Sequence, residues 1–156
     1  MLILGQKKMG QRKFPEQVLF KFEKPCYLRV IRDNTEVIAR RMGFDEDQVF
    51  ELAMIVDEAY ANAIEHGART SCESQLEVEF LIFKDRLEVC VKDTGCGFDL
   101  SGVQIPKNLR SLNLTRGRGL GLISLLSDRY ELISSPGAGT TLRFTKFLCL
   151  EQEFVA

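Results

Sequence analysis

The chain has 156 residues, enough for one domain and too few for two cores of ordinary size. Apolar residues make up 45% and charged residues 28%, the usage of a folded domain, which excludes a disordered or fibrous chain. Lys plus Arg number 21 against 22 for Asp plus Glu, so no basic footprint marks a nucleic-acid-binding protein.

Residues 1–16 carry Lys7, Lys8, Arg12 and Lys13 without a sustained period and read as an N-terminal arm ahead of one domain at 17–150. The apolar start Met1 to Leu4 runs into Gln6, Lys7 and Lys8 and lacks the hydrophobic region of a secretory signal. No apolar run approaches the roughly 18–20 residues of a membrane span, Leu120 to Leu126 being among the longest, and a cytoplasmic location is expected. The five cysteines are odd in number and form no C-x-x-C pair, so reduced thiols are expected rather than a disulfide framework or zinc site. His66 is the only histidine, and any metal would have to be held by oxygen ligands.

Val18 to Glu23, bounded by Pro25, reads as a first strand. Leu28, Ile31, Thr35, Ile38, Ala39 and Met42 recur at helical spacing, which predicts an amphipathic helix over Tyr27 to Met42 that stops at Gly43. Asp45 opens a second helix of roughly six turns, buried through Val49, Leu52, Ala53, Val56, Ala59, Tyr60 and Ala63 and ending at Gly67. Leu76 to Phe83 and Arg86 to Val91 alternate and are joined by Lys84-Asp85, an antiparallel hairpin with Asp93 at its far end. Phe98 to Gly117 has no period and is longer than an ordinary connection, which points to a lid. A short apolar helix over Leu120 to Ser127 follows, then strands at Tyr130 to Ser134 and Thr140 to Leu148 around the turn Pro136 to Gly139.

Four segments carry candidate chemistry. Glu58 and Asn62 lie four apart on a helix, hence on one face, with Glu65 extending the stripe. An amide oxygen such as that of Asn62 suits Mg²⁺, which uses few protein ligands and completes its shell with water and phosphate, and Glu58 could then orient or deprotonate a hydroxyl. Asp93 ends a strand and is followed by Gly95 and Gly97, which let backbone approach a flat ligand whose amine a carboxylate could accept. Gly117, Gly119 and Gly121 precede a helix and could close backbone N–H groups on phosphates, with Arg116 and Arg118 as further candidates for the distal phosphates. Thr140 opens the last strand and could add a hydrogen bond to a base. Alone, each segment has a plainer reading: a solvated helix face, a turn, a hinge, a β-branched strand residue.

In order, E-x-x-x-N-A-x-x-H-G at 58–67, D-x-G-x-G-F at 93–98, G-x-G-L-G-L at 117–122 and G-T-T at 139–141 resemble the nucleotide boxes of the gyrase, heat-shock chaperone, histidine kinase and mismatch-repair superfamily. Within it the chain is similar to the small stand-alone anti-sigma-factor serine/threonine kinases of bacteria, over roughly Val18 to Leu148. The resemblance implies an α/β two-layer sandwich, a mixed, mainly antiparallel sheet covered on one face by about three helices, with ATP between helices and lid. It implies Glu58 as general base, Asn62 as Mg²⁺ ligand and Asp93 as acceptor for the adenine amine. Gly95 and Gly97 would face the base, Gly117, Arg118, Gly119, Leu120 and Gly121 would border the phosphates, and Thr140 would support adenine. His66 is read as a scaffold residue.

The implied activity is ATP-dependent phosphorylation of a Ser or Thr on an anti-anti-sigma-type protein, with sequestration of a sigma factor. The alternative is an ATP-gated binding module that holds a regulator without phosphotransfer. Relatives commonly form dimers, and the edge strand at 18–23 is the contact that a homodimer would use.

Overall fold

The computed structural model describes residues 14–22, 27–67, 75–103 and 118–149. Five strands and three helices follow in the order β1 (Glu16–Phe22), α1 (Leu28–Met42), α2 (Glu46–Gly67), β2 (Leu76–Ile82), β3 (Arg86–Asp93), α3 (Arg118–Leu126), β4 (Arg129–Ser134) and β5 (Thr140–Phe147). A 3₁₀ turn at Leu100–Gly102, capped by the Asp99 side chain, follows β3. The strand predicted at Val18 starts two residues earlier and takes in Glu16, which the sequence reading had placed in the arm. The rest of that arm, and the lid beyond Val103, lie outside the described residues.

Local chemistry fixes the helix ends. Gly43 adopts φ +94°, a left-handed conformation that suits glycine, and its N–H donates to Arg40 O at 3.1 Å while Phe44 N–H donates to Ala39 O at 3.2 Å. Asp45 and Gln48 then open α2 reciprocally: Gln48 N–H donates to Asp45 Oδ1 at 2.7 Å, and Asp45 N–H donates to Gln48 Oε1 at 3.4 Å. Such a cap contributes about 1 kcal/mol and sets where the turns of α2 begin, hence which way Glu58 and Asn62 face.

The sheet order is β1-β2-β3-β5-β4, and every pairing is antiparallel. The mixed sheet implied by the resemblance is therefore an antiparallel one among the described strands. Its period of two sends Val78, Phe80, Val89 and Phe144 inward, against Leu52, Ile55, Val56 and Tyr60 of α2, all fully buried. The other face carries charged pairs such as Lys21–Glu77 at 2.6 Å and Arg86–Glu88 at 2.7 Å, and the buried apolar residues of the sheet lie on the helical side. Besides Asp93, one other charged residue described on the inner face is buried, Lys146. Its Nζ lies 2.6 Å from Glu51 Oε2 and donates to Leu126 O at 2.8 Å, tying β5 to α2 and to the last turn of α3. That clamp holds the far end of α3 so that its first turn lies along α2. None of the described helices is long and apolar enough to cross a membrane.

Candidate functional site

Between α2, the sheet and the start of α3 lies a cleft with about 360 Å³ of space unfilled by protein, part of it open to solvent. Ala59, Asn62 and Ala63 of α2 form one wall, and Val91, Leu132 and Leu142 of the sheet form the apolar floor. Phe98 and Leu120 stand at its sides, and Asp93 with Thr140 supplies the polar end. Asn62, Asp93, Leu120 and Thr140, four of the residues singled out from sequence, thus share one cavity.

The polar end is assembled by register. Asp93 and Thr140 are directly opposed on β3 and β5, and Thr140 is opposed in turn to Ser134 on β4. Asp93 is 2% exposed, and its Oδ1 accepts the Gly95 N–H at 2.9 Å, which bends the chain out of the strand. The turn after β3 is laced to the turn between β4 and β5. Gly137 N–H donates to Cys96 O at 2.7 Å and Phe98 N–H donates to Ser134 Oγ at 2.9 Å. Gly97 has φ +58° and Gly139 φ +73°; a Cβ on the first would collide with Ser135 O, and one on the second with Asp93 O. Only glycine lets these backbones come so close. The backbone N–H of Gly95 thus serves Asp93, and Gly97 serves the seam between the two turns.

At the other end, α3 starts against α2. A Cβ added to Gly119 would lie 2.6 Å from Glu58 Oε2 and 3.0 Å from Asn62 Nδ2, so glycine lets the first turn of α3 rest on both side chains. Gly119 and Gly121 lie inside the helix rather than ahead of it, and at Gly119 the close approach to α2 outweighs the cost of a helical glycine, about 1 kcal/mol. Gly117, Arg116 and the side chain of Arg118 lie outside the described residues, as does the His66 side chain.

Burial raises the Glu58 carboxyl above the usual carboxylate range, and the negative neighbours Asp57 and Glu65 add to the rise. Asp57 is also raised, by burial, with the facing Arg32 opposing the effect through an ion pair. Asp57 Oδ1 and Asn62 Nδ2 are buried with no hydrogen-bond partner among the described residues. The orphaned Asn62 atom is an N–H donor lining the cleft, which fits a ligand that brings an acceptor there, such as a phosphate oxygen. No cluster of three or more His, Cys, Asp or Glu among the described residues could cage a metal, so an ion at Asn62 would take most of its ligands from phosphate and water, as Mg²⁺ does.

The histidine kinase-like ATPase domain family matches residues 23–146. The chain belongs to that family. It is 33% identical to the serine-protein kinase RsbW of Bacillus licheniformis over 135 residues, 83% of each chain. It is 32% identical to the protein of the same name from Bacillus subtilis over 130 residues, 80% of each, and 30% identical to that of Listeria monocytogenes over 132 residues, 80% of this chain and 82% of the relative. The matched span of this ATPase domain contains β3, α3 and both polar ends of the cleft.

Sequence reading missed several residues of the site. Ala59 and Ala63 flank Glu58 and Asn62 one turn apart, and that small-residue spacing beside a polar stripe was a usable signal for a ligand wall. Ser134 and the Arg32–Asp57 pair had no local signal, since each depends on elements distant in sequence.

Proposed function

We infer that the chain is an ATP-dependent serine/threonine protein kinase of the anti-sigma type, acting on an anti-anti-sigma-type protein and holding a sigma factor in its nucleotide-bound state. The adenine sits between Asn62, Phe98 and Leu120 with its amine toward Asp93, and the triphosphate runs toward the first turn of α3. One observation carries this reading: Asn62, which lines the cleft with Asp93 and Thr140, lies together with Glu58 against Gly119 of α3. The family match and the kinase name shared by the relatives support it.

In phosphoryl transfer the substrate oxygen forms a bond to the γ-phosphorus as the bond to the β–γ bridging oxygen breaks and ADP departs. The protein's part is positioning and charge stabilisation. Glu58 takes the hydroxyl proton, and burial with two acidic neighbours makes it a stronger base than a solvated glutamate. Asn62 offers its amide oxygen to Mg²⁺, which when bound offsets negative charge on the phosphates. The backbone of α3's first turn directs N–H groups and the positive end of the helix dipole toward the phosphates.

Incubation of the purified chain with γ-labelled ATP and a candidate partner tests this. Label on a Ser or Thr of the partner, lost in Glu58→Gln while nucleotide binding persists, is the expected result. Full transfer by that variant refutes the assigned base, and nucleotide binding with no transfer by the native chain favours the gated binding module.

A further inference from the structure

Ser134, which no motif singled out, sits at the end of β4 in the cross-strand row Ser134–Thr140–Asp93. Its Oγ meets three groups at hydrogen-bond distance: Phe98 N–H at 2.9 Å, Gly139 O at 3.2 Å and Thr140 Oγ1 at 3.0 Å. A serine hydroxyl has one proton and two lone pairs. Phe98 N–H can only donate and Gly139 O can only accept, so the serine proton goes to Gly139 and one lone pair to Phe98. The third contact is then satisfied only if Thr140 donates its own proton to Ser134. Thr140 consequently presents lone pairs, and no proton, to the cavity that it lines with Asp93. A carboxylate likewise offers only acceptors.

We propose that Ser134 is a positioning residue that sets base specificity: by taking the Thr140 proton it leaves Thr140, like its cross-strand neighbour Asp93, facing a base as an acceptor, which selects a purine presenting an amine and rejects one presenting an oxo group. The proposal rests on the reading of the cleft as a purine-triphosphate site. It adds to Asp93 a second, tunable element of discrimination. Without the Ser134 hydroxyl, Thr140 is released to rotate its proton into the cavity and donate to an oxo group, so the penalty on that base falls.

The test is a titration of the full chain, with magnesium, by ATP and by inosine triphosphate, which has an oxo group where ATP has its amine. The native chain is expected to prefer ATP by about tenfold or more, and in Ser134→Ala the ATP-to-ITP preference falls by about three- to tenfold, the scale of one hydrogen bond. Ser134→Thr keeps a hydroxyl and keeps the preference. In a Thr140→Val background, Ser134→Ala leaves the preference unchanged, since the hydroxyl it acts through is gone. A serine that only braces the two turns would weaken both nucleotides alike; an unchanged ratio in Ser134→Ala overturns the proposal, as does a native chain that binds ATP and ITP equally, and in both cases the ATP site stands. A native chain that binds no ATP overturns the site and the proposal together.

Discussion

The two ends of the cleft differ in how completely their polar groups are satisfied. At the Asp93 end, the proposed base end, Asp93, Gly95, Phe98, Ser134 and Gly139 are tied by hydrogen bonds within and between two turns, and glycines at positive φ seal the seam. At the Asn62 end, the proposed phosphate end, Asn62 Nδ2 is buried without a partner among the described residues, and Glu58, beside Asp57 in the chain, is held above its ordinary pKa. A prebuilt pocket loses little freedom when it binds, which suits recognition. Groups left unsatisfied are costly in the resting fold and gain most when a ligand arrives, which suits chemistry. The division separates variants that alter binding from variants that alter transfer.

The largest expected effect lies at the phosphate end. Glu58→Gln should lower transfer to a Ser or Thr by about 10²–10⁴-fold, the usual range for a general base, with ATP affinity within about threefold of native. A native pKa raised above the unfolded value means that the fold binds the proton more tightly than the unfolded chain, so Glu58 destabilises the fold above that pKa and the cost fades as pH falls through it. Glu58→Gln should therefore melt slightly higher than native at neutral pH and lose that advantage in acid, which calorimetry or a melting curve across pH would read.

At the base end the expected effect is on the fold. Gly139→Ala demands a strained φ and drives a Cβ into Asp93 O, and should cost about 1–3 kcal/mol of stability together with ATP binding. Denaturant unfolding with and without nucleotide would sharpen the contrast with Glu58→Gln, which leaves both intact.

The smallest effect is a shift in pH dependence. With Glu58 as the proposed base, which must be deprotonated to act, the transfer rate should rise with pH through a limb lying above the range of a solvated glutamate. Asp57→Asn removes a negative neighbour and should move that limb to lower pH, by less than about one unit, with little change in the rate on the plateau. A limb that stays in place would remove Asp57 from the electrostatics of the base.

Much of this was legible in the sequence because it is local. Ile31, Thr35 and Ala39 define α1 by spacing alone, and Gly43 and Asp45 mark the break to α2 by backbone chemistry. Lys84-Asp85 sets the hairpin that delivers Asp93 to a strand end. Glu58, Asn62, Asp93 and Thr140 could be proposed from type and spacing, and the fold brings them to one cleft. What spacing could not give is contact between distant elements. The glycines before the third helix read as a loop, since propensity disfavours glycine in helices; both Gly119 and Gly121 are helical, and Gly119 packs on Glu58 and Asn62. Arg32 meets Asp57 only because α1 lies along α2, and Ser134 meets Phe98 only because β5 lies between β3 and β4.

The claim on which the rest depends is that Asp93 receives the amine of an adenine, and Asp93→Asn tests it most directly. Asparagine can keep the acceptor that holds Gly95 N–H, so the turn survives, while its NH₂ sets a donor against the amine's own donors. Calorimetric titration with ATP and magnesium should give a clear binding isotherm for the native chain and a loss of affinity of about 10–100-fold in the variant, at an unchanged melting temperature without nucleotide. Native affinity for ATP in Asp93→Asn would contradict the account.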